Sequence, residues 1–174
     1  MKVIFLDFDG VINNWNHFDG IDVKCVEILK YIKQTTNSYI VATTSNKYSF
    51  QAHGQSLQKT RFYQMVMELK KLGVEIQDIT PSVNQNKSLE IQEYLENHKE
   101  VTQYVILDDE YIGDKLKGHQ VFLDLYKGLQ EEHIMPSINI LNGKLGFYPP
   151  NYNTKETPDE LNLRINKYYL TKKR

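Results

Sequence analysis

A chain of 174 residues, 40% hydrophobic and 25% charged, is long enough for one domain with a real core and too apolar for wholesale disorder. With 21 basic and 22 acidic residues the formal net charge is −1, which excludes any general electrostatic pull toward nucleic acid or an anionic membrane. The lone cysteine, Cys25, excludes an internal disulfide framework and a cysteine-built zinc site, and no apolar run approaches the roughly 20 residues of a membrane span.

The first segment, Val3-Ile4-Phe5-Leu6, is continuously apolar and predicts a strand buried on both faces. Carboxylates follow at once, so no signal peptide is expected and the cytosol is the expected compartment. Apolar positions Val23, Val26, Ile28, Leu29 and Ile32 predict a helix over 22–34, with Cys25 in the core and no disulfide-linked partner. Residues 39–42 predict a second strand. A long helix is expected over 56–72, stopped by Gly73, and a weaker strand over 74–79. A helix over 88–97, a buried strand over 104–107 and a fifth strand over 121–125 complete the alternation. That alternation predicts an α/β fold, a mainly parallel five-stranded sheet with helices on both faces. Beyond Pro149-Pro150 the pattern changes to a polar linker. Thr157-Pro158-Asp159-Glu160 then reads as a capped helix start. The chain therefore divides into a domain over 1–148 and a linker with a docking helix over 149–174.

In a parallel sheet the chemistry sits at the carboxyl ends of the strands. Strand one ends in Asp7-Phe8-Asp9-Gly10. Two carboxylates ~4–5 Å apart repel by about 4 kcal/mol at an effective dielectric of about 20, so the pair calls for a cation or a shared proton. A calcium loop counted from Asp7 needs Gly at its sixth position and Glu at its twelfth, and Ile12 and Phe18 stand there instead. Strand four ends in Asp108-Asp109. Carboxylates from two strand ends make a hard, oxygen-rich site suited to Mg²⁺. Strand two ends in Thr43-Thr44-Ser45-Asn46, hydroxyls and backbone N–H groups among which a phosphate can sit. Lys87 stands at the start of the helix before strand four and is the one nearby counter-charge the sequence suggests. The five histidines show no metal-ligand spacing. In the loop 13–18, Trp15 or Phe18 stacks on a base or anchors the loop to the core.

These four motifs, three strand ends and the lysine before the last of them, resemble in their order and spacing along the chain the haloacid dehalogenase (HAD) superfamily of phosphohydrolases. Lys87 to Leu95, Ile106-Leu107-Asp108-Asp109 and Tyr126-Lys127-Gly128-Leu129 are similar, more narrowly, to a branch found as a domain of RNA-repair proteins and as stand-alone phosphatases. The usual Trp-Arg after the second motif is replaced here by Asn46-Lys47. The resemblance spans roughly residues 2–135.

It implies a three-layer, Rossmann-like fold and a hydrolase of phosphoric monoesters. Asp7 would be the nucleophile and Asp9 the general acid and base, and an Asp in that second place argues against haloacid chemistry. Mg²⁺ would be held by Asp7, the Asp9 carbonyl and Asp108, with Asp109 as ligand or support. Thr44, Ser45 and Lys87 would hold the phosphoryl group, with the choice among Thr43, Thr44 and Ser45 left open. The gaps after the first and second motifs leave no room for a large cap domain. An open site suits a phosphorylated small molecule or a nucleic-acid end. A 3′-phosphatase of RNA or DNA repair and a non-catalytic binding domain of the same fold are the alternatives.

Overall fold

The computed structural model describes residues 1–14, 20–48 and 57–148. Trp15, Phe18 and the helix expected from Thr157 lie outside the described residues. Five strands form one parallel sheet: β1 (Lys2–Leu6), β2 (Tyr39–Ala42), β3 (Asp78–Ile79), β4 (Gln103–Asp108) and β5 (Gln120–Phe122), in the order β3-β2-β1-β4-β5. Among the described residues four α-helices accompany them: α1 (Val23–Thr36), α2 (Arg61–Lys71), α3 (Lys87–Asn97) and α4 (Ile134–Leu141). The chain reverses direction across the sheet at β1, the central strand, so its carboxyl end is the switch point of the fold.

Both faces of β1 are covered, as its unbroken apolar run requires. Ile4 and Leu6 join α1, α2 and α4 through Leu29, Ile32, Met65, Leu69, Ile140 and Leu141. Val3 and Phe5 face the other way and pack with Ile91 and Tyr94 of α3, and with Ile112 and Leu116. The result is three layers. Cys25 is buried in the first of these clusters.

Several expected boundaries move. The helix expected over 56–72 begins at Arg61, because the Thr60 hydroxyl caps it by accepting the Tyr63 N–H at 3.2 Å. A 3₁₀ turn, Leu57–Lys59, precedes it. Gly73 does end the helix, with φ of +79°. The strand expected over 74–79 shrinks to Asp78–Ile79, and β5 runs Gln120–Phe122 in place of 121–125. Helix α4 has no counterpart in the sequence expectations. It carries Pro136 in its first turn, where the missing N–H costs no helical hydrogen bond. Among the described residues no helix is long and apolar enough to cross a membrane.

Candidate active site

Strand register alone brings the first acids together. Leu6 pairs with Leu107 across β1 and β4, and the Asp7 N–H continues the ladder to the Leu107 carbonyl at 3.0 Å. Neighbouring strands lie ~4.8 Å apart, so Asp7 and Asp108 stand side by side. Asp109 joins them, and one carboxylate oxygen of each of Asp7, Asp108 and Asp109 lies within 4.8 Å of the others. All three residues are buried.

Gly10 makes this convergence possible. Its φ is +75°, and a Cβ there would stand 2.6 Å from Asp109 Cγ. The turn it forms is tied by the N–H groups of Val11 and Ile12 donating to the Phe8 carbonyl, and by the Gly10 N–H donating to Asn13 Oδ1 at 2.9 Å.

Lys87, the first residue of α3, reaches back to the acids. Its Nζ donates to Asp7 Oδ2 at 2.6 Å and to the Asp108 oxygens at 2.9 and 3.2 Å. Burial opposes its charge, but Asp108 and Asp7 outweigh that and raise the pKa of the ammonium above its ordinary value. Burial pushes the Asp108 carboxyl well above its usual range; Lys87 pulls it down, while Asp7 and Asp109 add to the push. Three carboxylates against one ammonium leave two negative charges when all are ionised. That is the charge of one divalent cation, and buried carboxylates are the donor set a hard cation takes.

Asp9 stands apart from this cluster. Its Oδ1 accepts from Asn13 Nδ2 at 2.7 Å and from Arg61 Nη2 at 2.8 Å, and its Oδ2 accepts from Asn46 Nδ2 at 2.8 Å. The expectation that Lys87 is the single nearby counter-charge is therefore corrected: Arg61 neutralises Asp9, and it arrives from α2, fifty-two residues along the chain.

The three hydroxyls after β2 have different surroundings. Thr43 Oγ1 is buried with no hydrogen-bond partner. Thr44 Oγ1 caps the 3₁₀ turn Ser45–Lys47, accepting from Asn46 N at 3.3 Å and Nδ2 at 3.2 Å. Ser45 is exposed and lines a cleft of about 530 Å³ with Lys87, Tyr48, Asn86, Glu110 and Tyr111. Behind the turn lies Lys47, wholly buried, bonded to Glu90 of α3 at 2.8 Å.

Residues 3–134 match the family model described as the HAD domain in Swiss Army Knife RNA repair proteins. The chain belongs to that family. The HAD superfamily is generally one of phosphohydrolases whose domains typically use a metal ion, and the HAD site here has the buried acids to hold one. No curated protein and no solved structure matches the chain.

The sequence marks Asp7, Asp9, Asp108 and Asp109 at strand ends of this HAD domain and Lys87 at the start of α3. It passes over Asn13, Asn46 and Arg61, which complete the surroundings of Asp9. Asn46 had a signal, the amide beside the second motif in a turn. Arg61 had none, since nothing in its neighbourhood along the chain points to Asp9.

Proposed function

We propose that the protein is a Mg²⁺-dependent phosphomonoesterase working through an aspartyl-phosphate on Asp7. The observation that carries this reading is the buried Asp7, Asp108 and Asp109 cluster bridged by Lys87 at the switch point of the sheet.

Asp7, Asp108 and Asp109, with the Asp9 main-chain carbonyl, would hold the ion. When bound, Mg²⁺ supplies positive charge that screens the phosphoryl oxygens from the acids. An Asp7 oxygen attacks phosphorus as the bond to the leaving oxygen breaks, and Asp9, in the form that carries a proton on Oδ2, gives that proton to the leaving oxygen and becomes the carboxylate. Asp9 then takes a proton from water, which attacks the aspartyl-phosphate, restores Asp7 and releases inorganic phosphate. Lys87, Thr44 and Ser45 hold the phosphoryl oxygens. In the resting site Lys87 also fixes the Asp7 carboxylate, as does the Phe8 N–H, which donates to Asp7 Oδ1 at 2.7 Å.

A second reading narrows the substrate to the 3′-phosphate of a nucleic-acid end. The RNA-repair setting in the family's description favours it. The net charge of −1 adds no general attraction to a nucleic-acid backbone. A non-catalytic binding domain is disfavoured by the intact set of Asp7, Asp9, Lys87 and Asp108.

The test is phosphate release from small phosphomonoesters and from 3′- and 5′-phosphorylated oligonucleotides, with Mg²⁺ or with EDTA. Turnover that needs Mg²⁺ and disappears in Asp7→Asn is expected. Near wild-type turnover in Asp7→Asn would sink the covalent route, and no release from any substrate would sink the reading.

A further inference from the structure

We propose that Arg61 is the positioning residue for Asp9, which makes α2 a working part of the active site. The inference rests on the phosphatase reading above and goes beyond it by assigning a role to a residue outside the four motifs.

Asp9 is gripped from three separate segments. Asn13 comes from the turn after β1, Asn46 from the turn after β2, and Arg61 from the first turn of α2. Two of these donors share Oδ1, while Oδ2 receives Asn46 Nδ2. Each carboxylate oxygen accepts about two hydrogen bonds. Oδ2 is thus the oxygen with capacity left for a leaving group or a water, and Oδ1 is the anchor.

The Arg61 grip is set by packing. Phe62, its neighbour in the chain, stacks on Phe8, the residue between Asp7 and Asp9, with ring centroids 5.6 Å apart and planes 8° from parallel. Both rings are buried. Thr60, on the other side of Arg61, caps α2. Phe62 therefore fixes the start of α2 against the loop that carries Asp9, and the Thr60 cap fixes the helix turn in which Arg61 sits. The guanidinium held this way fixes the position of Asp9 Oδ1 through one charge-assisted N–H···O bond, while Asn46 holds Oδ2.

Stability does not explain the pair. The side chains of Arg61 and Asp9 are 33% and 30% exposed, and ion pairs so exposed contribute about 0–1 kcal/mol. Orientation of a proton-transferring group is where such a contact has leverage, because a displacement of about 1 Å costs up to about a hundredfold in rate.

The experiment compares wild type, Arg61→Gln, Arg61→Lys, Asp9→Asn and the Arg61→Gln/Asp9→Asn double variant in Mg²⁺. Two substrates are used: p-nitrophenyl phosphate, whose leaving group needs little protonation, and an alkyl phosphate, whose leaving group needs it fully. Arg61→Gln is expected to lower kcat about tenfold or more on the alkyl phosphate and about threefold or less on the aryl one. Arg61→Lys should recover part of the loss. In the Asp9→Asn background Arg61→Gln should add little, since its route of action is already gone. Melting temperatures of the Arg61 variants should stay within about 4 °C of wild type. Equal losses on both substrates, full additivity with Asp9→Asn, or an Arg61→Gln variant that matches wild type would overturn the assignment while leaving the phosphatase reading standing. A wild type that releases phosphate from neither substrate, nor from the wider panel above, would overturn the phosphatase reading itself.

Discussion

Replacing Glu90 by Gln should destabilise the protein by about 3–5 kcal/mol, the loss typical of leaving one member of a buried ion pair without its partner. Lys47 and Glu90 are both wholly buried. The Lys47 ammonium donates to Glu90 Oε2 at 2.8 Å, to the carbonyls of Thr80 and Pro81 at 3.1 and 3.2 Å, and to the Thr80 hydroxyl. Glu90 Oε1 accepts from the Tyr48 hydroxyl and from the Val83 N–H. The pair thereby ties the turn after β2 to the loop after β3 and to α3, the helix that presents Lys87. At about 2–4 °C per kcal/mol for a domain of this size, the melting temperature should fall by about 6–20 °C.

The loss should also depend on pH. Burial already holds the Lys47 ammonium below its ordinary value of 10.5, against the pull of Glu90. Without Glu90 the neutral amine is favoured further. A lysine with a depressed folded-state pKa binds fewer protons folded than unfolded, so stability rises with pH up to about 10.5. The difference between Glu90→Gln and wild type should accordingly shrink from pH 7 to pH 9.5. The Lys47→Met/Glu90→Leu double variant should lose less than the sum of its two single changes, because neither leaves a charge stranded. Urea and thermal denaturation across that pH range measure all of this. A shift under about 2 °C in Glu90→Gln, or strict additivity in the double variant, would refute the reasoning.

Mg²⁺ at a hundredfold excess over its dissociation constant should stabilise the fold by about 2.7 kcal/mol and raise the melting temperature by about 5–11 °C, and Asp108→Asn should remove most of the rise; an unmoved wild type would mean the acids hold no ion. Gly10→Ala should shrink the same Mg²⁺-dependent shift, since its Cβ would sit 2.6 Å from Asp109 Cγ at a φ of +75° that L-residues rarely adopt, and thermal scans with and without Mg²⁺ matching wild type would contradict that. His133 is held neutral: burial pushes its imidazole down to about 4 from 6.5, and its Nδ1 accepts the Gln130 N–H at 2.8 Å. The unfolded chain binds the extra proton first, so stability falls as pH drops from 6.5 to 4, by up to about 3 kcal/mol. His133→Asn should flatten that part of the stability curve in denaturant titrations, and a curve parallel to wild type would exclude the histidine.

The α/β alternation, the burial of β1 on both faces and the acids at the strand ends were all legible in the sequence. Each is a local pattern: an apolar run of strand length, a helical stripe, a charge that appears where apolarity stops. Asp7 and Asp108 were legible for a related reason, because a parallel sheet places its strand ends along one edge whatever the loops do, and Lys87 because a helix that follows a strand starts near that same edge. Element limits were less so. The start of α2 was decided by the Thr60 cap and the packing of Phe62 on Phe8, and β3 was reduced to the length that pairs with β2. Helix α4 went unread because its eight apolar-rich residues carry a proline and no leading cap of their own.

What only the tertiary structure decided is which charge answers which. Lys47 stands out along the chain only as the residue that replaces the usual arginine after the second motif, and it is wholly buried against Glu90, forty-three residues on. Arg61 falls unmarked inside the helix expected over 56–72, and it grips Asp9 from fifty-two residues away. Hydrophobic periodicity is a property of neighbours in sequence, so it can be read there. An ion pair between distant segments is fixed only when the helices that carry its members have packed, and its partners leave no mark on one another's local sequence.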